Sequence, residues 1–242
     1  MAVVCDGAGS AKRSEKGSEF VAKRAIPNIF KPIIEKRGWK KANTLPSEAD
    51  WKLIAKEGFE KVTEALLTIA TQQKVVAKEL ACTAILVIST PKGILAAHIG
   101  DGRAAYCNDK NEWKALIKPF KGEEANQTVF VTSGWEKDPI TYFESHVIED
   151  NILAYTLMSD GCEATAFHCS YIDPKTKMWS DPNEPSVSFY NNVSKQIAED
   201  LKQGKKVEEI NKDWTLFLEK GLQGFRDEQD DKTMIFAIAV DK

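Results

Sequence analysis

Residues 83–102 read TAILVISTPKGILAAHIGDG, two short apolar runs separated by Thr90-Pro91-Lys92 and closed by Gly100-Asp101-Gly102. Runs this short, bounded by turn residues and rich in Ile, Val and Leu, predict a buried β-hairpin. Similar runs lie on either side: AVVC at 2–5, AAYCN at 104–108, and, after the turn Asn108-Asp109-Lys110-Asn111, a strand around Trp113 to Ile117. Further strands are expected at Thr128 to Ser133, Ile140 to Val147, Ile152 to Ser159 and Met234 to Val240.

Helical periodicity marks four other stretches, Glu15 to Lys36, Ala49 to Lys78, Val187 to Gly204 and Val207 to Leu222. In the second, Trp51, Ile54, Ala55, Phe59, Val62, Leu66 and Ile69 recur at three- and four-residue spacing, the pattern of a one-sided apolar face. Ser47 is placed to cap that helix. Two helices thus lie between the first strand and the main run of strands, and two precede the last strand. That order predicts a core of strands with helices outside, rather than regular βαβ alternation. Ile172 to Pro185, with three prolines, reads as a surface loop inside the domain, able to act as a substrate-side flap. The length of 242 residues suits one domain spanning 1–242.

The net charge of -3 gives no general attraction to nucleic acid or acidic lipid, so neither is expected as a partner. The longest apolar tracts, at 93–99 and 234–240, fall far short of the roughly 20 residues that cross a bilayer. No membrane span is expected. The start MAVVCDGAGS lacks the pattern of a secretory signal, and the five cysteines form no C-x-x-C pair. Reduced thiols and a cytoplasmic location are the expectation.

Four times an apolar strand meets an aspartate in a turn: Cys5-Asp6-Gly7, Gly100-Asp101-Gly102, Ser159-Asp160-Gly161, and Asp230-Asp231-Lys232-Thr233 ahead of a strand. Taken singly, each is ordinary turn chemistry, because glycine tolerates positive φ and aspartate bonds back to nearby amides. Taken together, carboxylates at the ends of neighbouring buried strands repel unless a cation lies among them. An oxygen-only donor set suits Mg2+ or Mn2+ rather than zinc, since none of the three histidines, His98, His146 and His168, pairs with cysteine at ligand spacing. All three histidines read as packed residues rather than ligands, and Ser14 as a helix cap rather than a nucleophile.

The order of these motifs resembles the metal-dependent protein phosphatases of the protein phosphatase 2C family over nearly the whole chain. DGAGSAKRSEKG at 6–17 and Gly122-Glu123-x-x-Asn126-x-Thr128-x-Phe130 are similar to the bacterial branch of that family. The resemblance implies an α+β fold, a four-layer α-β-β-α sandwich of two antiparallel sheets packed face to face and flanked by antiparallel helix pairs. It implies a serine/threonine phosphatase that hydrolyses phosphomonoesters through a hydroxide bridging two Mn2+ or Mg2+ ions, without a covalent phospho-enzyme. Asp6 would bridge both ions, the Gly7 carbonyl would ligate one, and Asp160 and Asp230 would each complete a side. Asp231 competes with Asp230 for the last place. Asp101, with Glu163, would belong to a third site, and Lys12 and Arg13 lie close enough to Asp6 to meet a substrate phosphate. Partners would be a phosphoserine or phosphothreonine protein and a cognate kinase.

Two departures from the family pattern bear on activity. Only Met1 to Cys5 precede Asp6, where relatives carry one or two further strands, so a domain without its first strands is expected, with a sheet edge open to pairing with a second chain. Ala8 stands where many relatives carry a histidine proposed as general acid. The alternative reading is therefore a catalytically weak pseudophosphatase that binds a phosphoprotein or kinase as a regulatory module.

Overall fold

A computed structural model describes residues 1–39, 44–120 and 128–239. Gly122, Glu123 and Asn126 of the middle motif lie outside the described residues, as does Val240. In chain order the first half holds β1 (Ala2–Val4), α1 (Ser14–Phe20), α2 (Ile26–Arg37), α3 (Glu48–Gln72), β2 (Ala84–Thr90), β3 (Gly93–Ile99), β4 (Arg103–Asn108) and β5 (Trp113–Ala115). Then come α4 (Pro139–Tyr142), β6 (Glu144–Glu149), β7 (Ile152–Met158), α5 (Glu163–Ala166), β8 (Phe167–His168), β9 (Tyr171–Ile172), β10 (Trp179–Ser180) and β11 (Glu184–Pro185). The chain ends through α6 (Val187–Lys202), α7 (Val207–Lys220), α8 (Gln223–Asp227) and β12 (Met234–Ile238). Helices and antiparallel sheets are both present, as an α+β protein requires. The chain forms two compact units, one of residues 1–102 and 116–151, the other of residues 103–115 and 152–242.

The first unit is built on a four-stranded antiparallel sheet in the order β1-β2-β3-β6. The quoted hairpin is there: β2 and β3 pair from Ala84↔Ile99 to Thr90↔Gly93, turning on Pro91-Lys92. Side chains on both faces of β3 are buried, which is why the sequence shows an unbroken apolar run there rather than alternation. Helix α3 covers one face with Trp51, Ala55, Phe59, Val62, Leu66 and Ala70. Its start follows from Ser47, whose Oγ accepts the Asp50 amide at 3.1 Å, and Trp51 fixes it to the sheet by donating Nε1–H to Ala96 O at 2.7 Å. The other helical stretch is interrupted by a π turn at Val21–Ala25, ahead of Pro27, and stops at Gly38, whose φ of 66° closes α2 in the left-handed region.

The second unit carries its own four-stranded antiparallel sheet, β12-β7-β4-β5, covered by α6 and α7. Tyr190 of α6 stacks on Trp113 of β5 at 4.3 Å, and Trp214 of α7 donates Nε1–H to Met234 O at 3.1 Å. Both aromatic residues thereby bury large apolar bodies while satisfying a polar atom or a neighbouring ring.

The sequence reading needs correction in four places. Thr128 to Ser133 is not a strand: Ser133 N donates to Phe130 O at 2.9 Å and Ser133 Oγ accepts the Phe130 amide, which closes a turn, while Val131 N alone reaches back to Cys82 O. The span Ile140 to Val147 splits, because Asp138 caps the short helix α4 before β6 begins. Helix α3 ends at Gln72, and Ala77–Leu80 is a separate 3-10 turn. Ile172 to Pro185 is more ordered than a loop, since β9 pairs with β10 and β11 with β8.

Candidate functional site

In the first unit, Asp6 lies two residues beyond the end of β1. Its backbone is paired with Thr83, the residue before β2: Thr83 N donates to Asp6 O at 2.8 Å and Asp6 N donates to Thr83 Oγ1 at 3.1 Å. One residue on, Gly7 bridges to Cys82. Thr83 also supports the second turn. Gly100, with φ of 115°, lies so close that a Cβ on it would sit 2.5 Å from Thr83 Cγ2. The Asp6 and Asp101 turns therefore adjoin through one threonine, and glycine is required at 100 both by its backbone and by this approach. Asp101 accepts a hydrogen bond from Thr128 Oγ1.

Burial pushes the Cys5 thiol well above its ordinary value, with Cys82 and Asp6 adding to the shift. Cys82 is pushed up to about 12 by burial and by the Asp6 charge. Both cysteines are free, and neutral thiols of this kind are poor metal ligands.

Lys12 is exposed. Arg13 pairs with Glu79 at 3.6 Å, and its backbone N donates to Glu79 O at 3.0 Å, so the loop after Gly7 is tied to the turn that precedes β2.

In the second unit, Asp160 opens a short 3-10 turn after β7, and Asp230 precedes β12. These strands pair from Met234↔Met158, which sets the two turns side by side. A Cβ on Gly161 would lie 2.4 Å from Asp231 O, so Gly161 is needed for the contact between the turns. Ser159 Oγ donates to Asp231 O at 3.1 Å. Asp160 Oδ1 accepts the Gly161 amide at 3.0 Å, and Asp230 Oδ1 accepts the Asp231 amide at 2.8 Å. Asp230 and Asp231 are both exposed.

Glu163, three residues beyond Asp160, accepts a hydrogen bond at Oε2 from Arg103 Nε at 2.7 Å. Arg103 was not among the residues singled out from sequence, yet its side chain is fully buried. The available signal was an arginine opening the apolar strand AAYC directly after Gly102, since a charge in a buried strand must have partners. Thr83, Thr128 and Ser159 were missed for a different reason: hydroxyls that brace turns have no periodicity.

The donor chemistry fits a hard divalent cation, because the aspartates offer carboxylate and backbone oxygens alone. Each unit adjoins two aspartate turns, Asp6 with Asp101 in one and Asp160 with Asp230 in the other. Among the described residues, no group of three or more His, Cys, Asp or Glu side chains is gathered closely enough to hold a metal ion. Among the described residues there is also no helix long and apolar enough to cross a membrane.

Comparison with known families gives a match to protein phosphatase 2C over residues 1–202, through parts of both units. Among solved structures, the chain is similar to a bacterial serine phosphatase at 17% identity and a TM-score of 0.56, covering 99% of this chain and 86% of that one. A single-substitution variant of a bacterial serine phosphatase matches at 15% identity and a TM-score of 0.53, with 99% and 86% covered. At such identities these likenesses establish the fold. No curated protein matches the chain.

Proposed function

The chain belongs to the protein phosphatase 2C family, and from that premise we propose that it is a metal-dependent phosphatase acting on phosphoserine and phosphothreonine in proteins. The observation that carries the reading is the pairing of aspartate turns within each unit, Asp6 with Asp101 across Thr83 and Asp160 with Asp230 across the Ser159 bonds. Oxygen-only turns braced in pairs are an expensive arrangement of like charges unless a cation relieves it. We assign Asp6, the Gly7 carbonyl, Asp160 and Asp230 to two Mn2+ or Mg2+ ions, and treat the two units as one domain on the strength of the family match that runs through them. When bound, a hard divalent cation offsets charge on phosphoryl oxygens and lowers the pKa of nearby water.

The rest is the work of this chain's own groups. Thr83 and Ser159 hold the aspartates at the strand ends, so that little reorganisation is needed as substrate binds. Lys12, exposed beside the first turn, is assigned to attract the phosphate dianion. Arg13 shares its charge with Glu79 and contributes less. The substrate is a phosphoprotein, and the partner a kinase that supplies it, in the cytoplasm.

The test is hydrolysis of a generic aryl phosphate and of a phosphothreonine peptide by purified protein, with Mn2+, with Mg2+ and with EDTA. Turnover is expected only with metal and should fall at least a hundredfold in Asp160→Asn. Activity that survives both EDTA and the substitution sinks the reading. Ala8, buried and without a proton to give, favours a second reading, the weakly active pseudophosphatase. Phosphopeptide binding by the metal-free protein, together with negligible turnover in the metal-loaded one, would select it.

A further inference from the structure

The segment between β8 and β11 presents a problem of attachment. Tyr171, Ile172, Met178 and Trp179, the large apolar residues of the β9–β10 hairpin, are 50%, 60%, 70% and 54% exposed. Apolar burial, the usual source of docking energy, is therefore largely missing from this hairpin. Its own bonds are local: Asp173 Oδ1 accepts the amides of Lys175 and Thr176, and Trp179 Nε1–H reaches Ser170 Oγ at 3.1 Å.

Cys169 packs against the core at the start of the segment, and its far end is held by Arg103. Its fully buried guanidinium takes Asp181 in a fork, Nη2 to Oδ2 at 2.5 Å and Nη1 to Oδ1 at 3.3 Å. Nη1 also donates to Asn183 Oδ1 at 2.5 Å, and Nε donates to Glu163 Oε2 at 2.7 Å. Phe167 covers the guanidinium, with its ring centroid 5.3 Å away. The acceptor side is shaped in advance. Asp181 Oδ1 accepts the Asn183 amide at 2.9 Å, and Asn183 holds a φ of 51°, a left-handed conformation that asparagine tolerates better than most residues. Such a pattern of one planar donor serving three acceptors fits arginine and not lysine.

We propose that Arg103 is a positioning residue that sets two things at once, the docking of the segment 169–183 and the aim of Asp160. The second follows from Glu163, which sits three residues after Asp160 on the same short helical run and binds Arg103 Nε, while Asp181 and Asn183 of the segment bind the other nitrogens of the same guanidinium. Arg103 then links the run that carries Asp160 and Glu163 to the segment. This rests on the proposed phosphatase reading for its catalytic consequence, but the docking claim stands apart from it.

The experiment separates the two. Because removing a buried arginine can prevent folding, the clamp is opened from the segment side with Asp181→Ala combined with Asn183→Gly, which keeps the left-handed backbone accessible. Arg103→Lys is the companion variant, retaining charge and losing the fork. Limited trypsin digestion, scored by mass spectrometry for cleavage after Lys175 and Lys177, should accelerate at least tenfold in both variants at a temperature where circular dichroism and melting remain those of the parent. Unchanged cleavage at these lysines overturns the docking claim. With an aryl phosphate and saturating Mn2+, kcat should fall about tenfold in both variants with KM within twofold of the parent; an unchanged kcat overturns the claim about Asp160. If the parent itself shows no metal-dependent turnover, the phosphatase reading fails and with it the claim about Asp160, while the digestion result still decides the docking.

Discussion

Ser159 and Thr233 exchange hydrogen bonds in both directions: Ser159 N donates to Thr233 O at 3.0 Å, and Thr233 N donates to Ser159 Oγ at 3.1 Å. The same hydroxyl then gives its proton to Asp231 O, so one buried serine serves two residues on the turn that carries Asp230. Ser159→Ala leaves the Thr233 amide and the Asp231 carbonyl without this partner. The expected cost is about 1–3 kcal/mol of folding stability, measured by urea denaturation. A loss within error of zero would mean that water or a shifted backbone replaces the bonds.

Gly161 offers a steric test of the same contact. In Gly161→Ala the new Cβ meets Asp231 O, which is backbone and cannot swing aside. The turns must separate, at an expected cost of about 1–3 kcal/mol. Gly9→Ala is the control, since a Cβ there meets nothing within 4 Å and should change stability by less than about 0.5 kcal/mol. Equal melting temperatures for both variants would refute the close approach.

Metal should act on stability as well as on turnover. A divalent ion that binds the folded chain at a hundred times its Kd adds about 2.7 kcal/mol, a melting shift well within calorimetric reach. Mn2+ is expected to raise the melting temperature of the parent protein, and Asp6→Asn should shrink that shift. An equal shift in parent and variant would remove Asp6 from the ligand set.

The stability of the first unit should decline in mild acid. His98 is 3% exposed, neither ring nitrogen makes a hydrogen bond, and Glu144 Oε2 lies 3.5 Å from Nδ1. Burial pushes the imidazole down to about 4, against the pull of the Glu144 carboxylate and with help from His146. The unfolded chain, with a histidine near 6.5, takes up the proton first. The contribution of His98 is therefore complete above about pH 6.5 and is lost as pH falls toward 4, in total on the order of 3 kcal/mol. His146 is raised by Glu144, so its contribution fades instead as pH rises above that range. Urea midpoints compared at pH 7 and pH 5 should fall for the parent and fall much less for His98→Leu; matching slopes would clear His98 of the effect.

The strands were readable wherever both faces are buried, as in β3, because an unbroken apolar run bounded by turns leaves few alternatives. Helix α3 was readable from its spacing and from Ser47. Thr128 to Ser133 misled because Val129, Phe130 and Val131 have strand composition, whereas Ser133 Oγ captures the Phe130 amide and turns the chain. The aspartates could be found from repeated turn chemistry. What braces them could not: Thr83 and Ser159 act through single hydroxyls, and the partners of Arg103 lie sixty and more residues away along the chain. Local pattern carries no record of such distant acceptors.

The pairing of β1 with β2 has a consequence for the protein while it is being made. Ala2 faces Val87, so the strand that leads to Asp6 emerges from the ribosome long before its partner. At roughly 5–20 residues per second, it waits several seconds. Strand β4 can pair early with β5, but its other edge waits for β7, whose first paired residue comes more than forty positions later. The nascent chain therefore carries β1 unpaired for a time during which chaperones and proteases compete for it, and the Asp160 and Asp230 turns cannot be set side by side until β12 has been synthesised.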